Sequence, residues 1–280
     1  MSIVVNTNIG SLNAQRSLAE SSRELSTAME RLSSGKKINS ASDDAAGFAI
    51  AERMTAQVRG LNMATKNAND GLAMLATIEN ATNDVTDMLQ RVRELAVQAA
   101  NDTNSDTDRE YLQLEVDSLL AEINRVSSQT VYNNQNVLDG SRSGTLQVGT
   151  DNGQTIAFNI ESIDTGALGL TNFEVNDSAG NAPGTTGYTS TTSSLSVLDA
   201  GAAAEALDKI SIAIEQVAED RAGYGALANR LEYTVSNLMN VAEFTTAARS
   251  RIEDADFAAE SARLAKAQVL QQTGTAMLAQ

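Results

Sequence analysis

The groups in this sequence best able to do chemistry are carboxylates, and they gather in three places. Asp102, Asp106 and Asp108 alternate with Asn104, Asp43 adjoins Asp44, and Glu253 and Asp254 precede Asp256. Oxygen ligands at every second position open a calcium-binding loop. Such a loop next needs glycine where Thr107 stands and a bidentate glutamate where Gln113 stands, so a helix-capping turn accounts better for residues 102–108. Paired acids at 43–44 and 253–256 could share general acid and base roles. Both groups fall where helices restart, and Arg249 and Arg251 flank the second, which favours capping and ion pairing over catalysis.

The rest of the inventory points the same way. The chain has no His and no Cys, which removes the imidazole base, the thiol nucleophile, the disulfide and the Cys/His zinc site. No P-loop, dinucleotide fingerprint or G-x-S-x-G element is present. The expectation is a non-enzyme without cofactor or metal. A formal charge of −16 opposes nucleic-acid binding, which requires basic surface. No stretch approaches membrane-spanning length, and Met1-Ser-Ile-Val-Val-Asn-Thr-Asn8 lacks the basic and apolar regions of a secretory signal, which argues against general secretion.

The charge is unevenly placed. Basic residues number seven against six acidic in 1–60, five against twelve in 61–130, two against twelve in 131–220, and six against six in 221–280. Neutral ends suit a crowded axis shared by many copies, while an outward surface can carry one sign.

These residues are positioned by long helices. A seven-residue apolar repeat runs unbroken through 54–99: Met54, Leu61, Ala68, Leu75, Thr82, Leu89 and Ala96 on one track, Ala64, Gly71, Ile78, Val85, Val92 and Ala99 on the other. At 1.5 Å per residue that is a helix of roughly 70–80 Å, which must lie along other helices. Upstream, Leu18, Leu25 and Leu32 repeat at seven with Met29 beside them, and the pattern stops at Gly35-Lys36-Lys37, a helix C-terminus. Ser40, Ser42, Asp43 and Asp44 supply caps for the restart. After a polar turn, Thr107 and Glu110 form a capping box for a helix with apolar face Leu112, Val116, Leu119, Ile123 and Val126, antiparallel to the long one.

From Val131 the helical period disappears. Leu146/Val148, Asp151-Asn152-Gly153 and Ile156/Phe158/Ile160 predict a β-hairpin, and residues 176–194, rich in Gly, Ser, Thr and Asn, an exposed loop. Helical periodicity returns near Gly201 through Ile210, Val217, Tyr224, Leu231 and Leu238, then on a neighbouring track through Val241, Ala248, Ala255, Ala262, Val269 and Ala276. Only 4% of residues are aromatic, so Ala, Leu, Val, Ile and Met must supply the packing, in close helix contacts. The fold class is mainly α: long antiparallel helices and a coiled coil of the N- and C-terminal segments, with a small β-hairpin region between. Residues 1–40 and about 253–280 are expected to stay disordered until polymerised, for want of neighbours that offset their ordering entropy.

Met1-Ser-Ile-Val-Val-Asn-Thr-Asn8, the run Glu30-Arg-Leu-Ser-Ser-Gly-Lys-Lys-Ile-Asn-Ser-Ala-Ser-Asp-Asp-Ala-Ala-Gly-Phe-Ala-Ile50 and Ser250-Arg-Ile-Glu-Asp-Ala-Asp-Phe257 resemble flagellin, the protein of the bacterial flagellar filament. The likeness covers roughly residues 1–140 and 200–280. It implies a terminal coiled-coil inner-tube domain (1–43 with 253–280, contacts at Leu18, Leu25, Leu32, Ala255, Ala262 and Val269). It also implies a helical filament-packing domain (44–165 with 200–252, its hairpin near 140–165) and an exposed variable region reduced to 166–199. By the same resemblance the chain is a secreted, extracellular homopolymer, exported unfolded and built into a hollow helical tube for motility. Its implied partners are flagellar cap and hook-associated proteins, an export chaperone and, in a host, Toll-like receptor 5.

Spacing alone makes Gln90–Val97 a solvated helix face with Asp87 and Arg91 as an i, i+4 pair. The resemblance makes the same stretch a receptor and inter-subunit contact through Gln90, Arg91, Glu94 and Leu95, with Glu115 on the facing helix. Members of that family commonly continue a few helical turns past the stretch Met277-Leu-Ala-Gln280, where this sequence stops. Two further readings stand beside the filament subunit: a hook-filament junction protein of the same system, separated by its inability to grow indefinitely, and a cytoplasmic coiled-coil scaffold, separated by location. An enzyme acting through Asp43 or Asp254 would show turnover lost on mutation.

Overall fold

The computed structural model describes residues 9–174 and 192–279. Five helices, α1 (Ile9–Ser34), α2 (Ala45–Ala99), α3 (Asp106–Gln129), α4 (Ala200–Glu253) and α5 (Phe257–Ala279), carry most of them. Among the described residues between α3 and α4 are three two-stranded antiparallel pairings: β1 (Val131–Tyr132) with β2 (Gln135–Asn136), β3 (Ser143–Gln147) with β4 (Thr155–Asn159), and β5 (Thr171–Glu174) with β6 (Thr192–Ser194). The chain divides into two compact units, an end unit of Met1–Asn62 with Met239–Gln280 and a middle unit of Met63–Leu238. The division runs through α2 and α4 themselves and not through the helix breaks near 43 and 253.

In the middle unit the seven-residue repeat of α2 is the spine of the core. Ala68, Leu75, Ile78, Val85, Leu89, Val92, Ala96 and Ala99 are all buried there. Thr82, the one polar residue on the seam, is also buried, and its hydroxyl donates back to the Ile78 carbonyl at 3.0 Å. That satisfies the group inside its own helix. Ile210, Val217, Tyr224, Leu231 and Leu238 of α4 and Val116, Leu120 and Ile123 of α3 face inward in turn. Leu146 of β3 comes so close to α2 at Gly71 that a Cβ there would stand 2.5 Å from its Cδ1, so any larger residue would have to push the Leu146 methyl aside.

Several expectations need correction here. The capping box of α3 is Ser105 with Asp108, not Thr107 with Glu110: the Asp108 amide donates to the Ser105 hydroxyl at 3.2 Å and the Ser105 amide to the Asp108 carboxylate at 3.0 Å. Both pairs have the right spacing; extended backbone at Ser105 starts the helix two residues sooner. Segment 166–199 is not wholly an exposed loop, since Leu168, Leu170, Leu195 and Val197 are buried. Apolar side chains at its two ends anchor it to the core; the rest of the expected loop, 175–191, lies outside the described residues. The β1–β2 hairpin was not anticipated. Asn133 and Asn134, both at positive φ, make its two-residue turn.

In the end unit α1 and α5 pair antiparallel: Arg31 meets Glu260 at one end, and Leu18 lies against Gly274 at the other. Gly35, at φ +71°, ends α1 in the left-handed cap its sequence predicts. Asp44 accepts from the amides of Ala46 and Gly47 at the start of α2, and Asp256 from those of Ala258 and Ala259 at the start of α5. The two helix breaks are stitched together. Lys37 N donates to Glu253 O at 2.7 Å, and Ala255 N to Gly35 O at 2.9 Å.

Candidate interaction surfaces

Two surfaces gather the residues singled out from the sequence. The first, in the middle unit, is built where α2 and α3 run side by side. Arg91 projects from α2, its Nε donating to Glu115 of α3 at 2.9 Å and a terminal nitrogen to Glu94 at 2.8 Å. The expected partner Asp87 is not used: Glu94 one turn on, together with Glu115, offers carboxylates on both sides of the guanidinium. Bonds to Glu94 and then Glu115 raise the Arg91 pKa above the ordinary arginine value, although an arginine is cationic at any accessible pH without them. Gln90, Arg91, Glu94 and Glu115 are exposed. Leu95 is not. At 1% exposure it lies in the core beneath them, because i+1 from Glu94 turns it onto the buried seam, so it supports this face from below and offers no surface contact in this conformation.

Beside the cluster runs an open groove of about 500 Å³ lined by Gln90, Arg93, Glu94, Val97 and Ile214. Val97, one of the lining residues, is more than half exposed, an apolar group one turn from Glu94 and Arg93. The turn at the end of the helices is held by residues that spacing did not flag. Buried Arg109 donates to the Ala99 carbonyl at 2.9 Å and the Asn101 carbonyl at 3.2 Å, capping the open end of α2 from α3. Gln113, which disqualified the calcium loop, clasps the segment before α4, donating to Leu195 O at 2.8 Å and accepting from Val197 N at 2.7 Å. Asn104 donates to the Gln98 carbonyl. Of the residues in the acidic run, Asp108 serves the cap of α3, its carboxylate accepting from the Ser105 amide at 3.0 Å.

The second surface is the α1–α5 pair. Leu18, Leu25 and Leu32 are half-buried around buried Ser21 and Ala28. On α5 the inward residues are Glu260, Leu264, Ala267, Gln271 and Gly274, whereas Ala262 and Val269 are exposed and Ala255 sits half-buried in the helix break. The seven-residue count that reached Ala262 and Val269 crosses Asp254–Asp256, where the chain is not helical, and loses phase there. Buried Glu260 accepts from Arg31 at 3.2 Å and Arg263 at 3.0 Å, and Arg31 Nε is buried without a partner. The outer face, with Phe257, Val269 and Leu270, stays open.

Residues 5–143 match the bacterial flagellin N-terminal helical region and residues 207–280 the bacterial flagellin C-terminal helical region. The chain is 38% identical to the flagellin of Halalkalibacterium halodurans over 279 residues, covering 99% of this chain and 95% of that one. The chain belongs to the flagellin family. It is likewise 38% identical to the flagellar filament 33 kDa core protein of Treponema phagedenis over 289 residues, 99% of this chain and 96% of that one. Alignment with flagellin A of Vibrio anguillarum, 34% identical, extends over 367 positions while covering all of this chain and 97% of that protein. This flagellin has 280 residues, so the Vibrio protein carries segments it lacks, in keeping with a short variable region between the two matched ends. As a flagellin it is a non-enzymatic structural subunit of an extracellular homopolymer, the flagellar filament of motile bacteria. Membership favours neither the junction protein nor the cytoplasmic scaffold.

Proposed function

We propose that this flagellin assembles as a hollow helical tube with the α1–α5 pair toward the inside, and that the face carrying Gln90, Arg91, Glu94 and Glu115 serves both lateral contact between subunits and recognition by Toll-like receptor 5. The observation that carries the reading is the Arg91 clamp: an exposed cation held rigidly by two carboxylates beside an apolar groove. Preorganised arginines of this kind lose little entropy on binding and anchor interfaces. The thin, partly polar α1–α5 core supports the tube, because its uncovered outer face gains full burial only from further copies. For the same reason the ends order on polymerisation, after export of an unfolded chain by a dedicated chaperone and folding at the growing tip under a cap protein. The absence of cysteine is compatible with that route.

The receptor reading is tested on monomer in receptor-reporter cells. Wild type should signal, and Arg91→Ala should lower potency roughly tenfold, the loss of one anchoring contact of about 1.4 kcal/mol. A silent wild type overturns it. Deleting 1–40 and 253–280 should abolish elongation seen by electron microscopy, and unimpaired growth would overturn the tube.

A further inference from the structure

We infer that Asn152 is a self-modifying site, converting spontaneously to aspartate and isoaspartate at the tip of the β3–β4 hairpin. Asn152-Gly153 is the single Asn-Gly step in the sequence. It sits in a turn that the structure leaves open: residues 151–155 are exposed, the turn is closed by Gln154 N donating to Asp151 O at 3.3 Å, and Gly153 takes φ +87°. Neither the Asn152 side chain nor the Gly153 amide bonds to any described group, and no atom lies within 4 Å of where a Cβ on Gly153 would stand.

Those are the conditions for intramolecular attack. Once hydroxide removes its proton, the Gly153 nitrogen adds to the side-chain carbonyl carbon of Asn152. The new C–N bond closes a succinimide ring, the carboxamide C–N bond breaks, and ammonia leaves with the returned proton. Water then opens the ring at either carbonyl, yielding aspartate or isoaspartate. Every other asparagine is followed by a residue with a side chain that shields its nitrogen.

Two aspartate-glycine steps could follow related chemistry, and both are blocked. Asp70-Gly71 lies inside α2, where helical hydrogen bonding holds the amide. At Asp139-Gly140 the carboxylate accepts from the Ser141 amide at 3.0 Å and hydroxyl at 2.6 Å, and these bonds hold its pKa below the ordinary value, away from the protonated form that cyclises. The product matters because of where the hairpin sits: it is pinned to α2 through Asn67 donating to Gln147 O and through Leu146 against Gly71. Isoaspartate lengthens the backbone at its tip, and either product adds a negative charge.

Full-length chain, incubated folded at neutral and alkaline pH, is labelled with a protein isoaspartyl methyltransferase and mapped by mass spectrometry. Label and the amide-to-acid mass gain should accumulate at residue 152 ahead of every other Asn or Asp, faster at alkaline pH, and vanish in Asn152→Gln. Gly153→Ala should slow the reaction. Denaturing the chain should bring Asp70 and Asp139 into reaction. Absence of label at 152, or equal label at 70 or 139 in the folded chain, overturns the inference.

Discussion

The middle unit and the end unit both bury a helix seam, and they do it with opposite materials. Along α2, side chains from Ala68 to Ala99 reach complete burial against α3, α4 and the hairpins, and the lone polar residue turns its hydroxyl into the helix. Along α1 the leucines are only half-covered, the buried positions are Ser21 and Ala28, and α5 contributes a carboxylate, Glu260, to the same layer. One unit is complete in a single copy. The other presents an unfinished face, and in a homopolymer the finishing surface is another copy of the same chain. Under the proposed tube the difference divides two tasks: stability resides where the core is dry, and the face left open is the one another copy would cover.

Removing core volume from the middle unit should have the largest effect. Ile78→Ala, at a site with no exposure, is expected to cost about 2–5 kcal/mol in urea unfolding of the monomer. The matched change Leu25→Ala in α1 should cost less than about 1 kcal/mol in that experiment, because the side chain is already partly wet. It should nonetheless impair seeded elongation. Equal losses of monomer stability at the two positions would break the contrast.

Next in size is the ion cluster. Glu260→Gln removes the buried charge that serves both Arg31 and Arg263 and leaves the part-buried Arg31 guanidinium poorly matched, a loss of about 1–3 kcal/mol. The loss should be local. In assembled filaments, where the ends are ordered, hydrogen exchange is expected to quicken through α1 and α5 and stay unchanged at the α2–α4 seam; protection that falls everywhere would mean that the units do not separate energetically.

Where the fold was legible, one helix carried the period without interruption. Residues 54–99 announced their seam because α2 never breaks, and Gly35 and Asp44 announced a stop and a start because local backbone chemistry decides both. Phase across a break was not legible. Nothing in Val241, Ala248, Ala255, Ala262 and Val269 reveals that the non-helical step at 254–256 turns Glu260 inward and Val269 outward. Nor could spacing rank Glu94 and Glu115 above Asp87 as partners of Arg91, since the choice depends on the side-by-side placement of α3. Leu95 was legible as part of the receptor-like segment but not as buried, although its neighbours Val92 and Ala96 lie on the seam it joins. The holding roles of Arg109 and Gln113 were not legible because the bonds that fix the turn and the segment before α4 run to backbone carbonyls and an amide, which leave no trace in side-chain patterns.

The smallest expected effect concerns a place on α4 where the middle unit departs from its own rule. An oxygen of Asp220 on α4 is buried with no hydrogen-bond donor, and its pKa is raised chiefly by desolvation, then by the nearby charges of Glu161 and Glu219. Tyr224, one turn along, accepts from the Glu161 amide at 3.3 Å and is itself pushed up to about 12, mainly by burial, so it stays neutral across the accessible range. Because folding raises the Asp220 pKa, the folded state holds its proton more tightly than the unfolded chain. Stability contributed here therefore falls as pH rises from the ordinary carboxylate value through the raised one, and the penalty is complete above it. Asp220→Asn should remove that penalty, making the monomer slightly more stable at neutral pH and flattening its stability profile in the mildly acidic window. Urea midpoints across that window measure the difference; a variant less stable than wild type at neutral pH would show that the carboxylate has a compensating partner and that the middle core is balanced throughout.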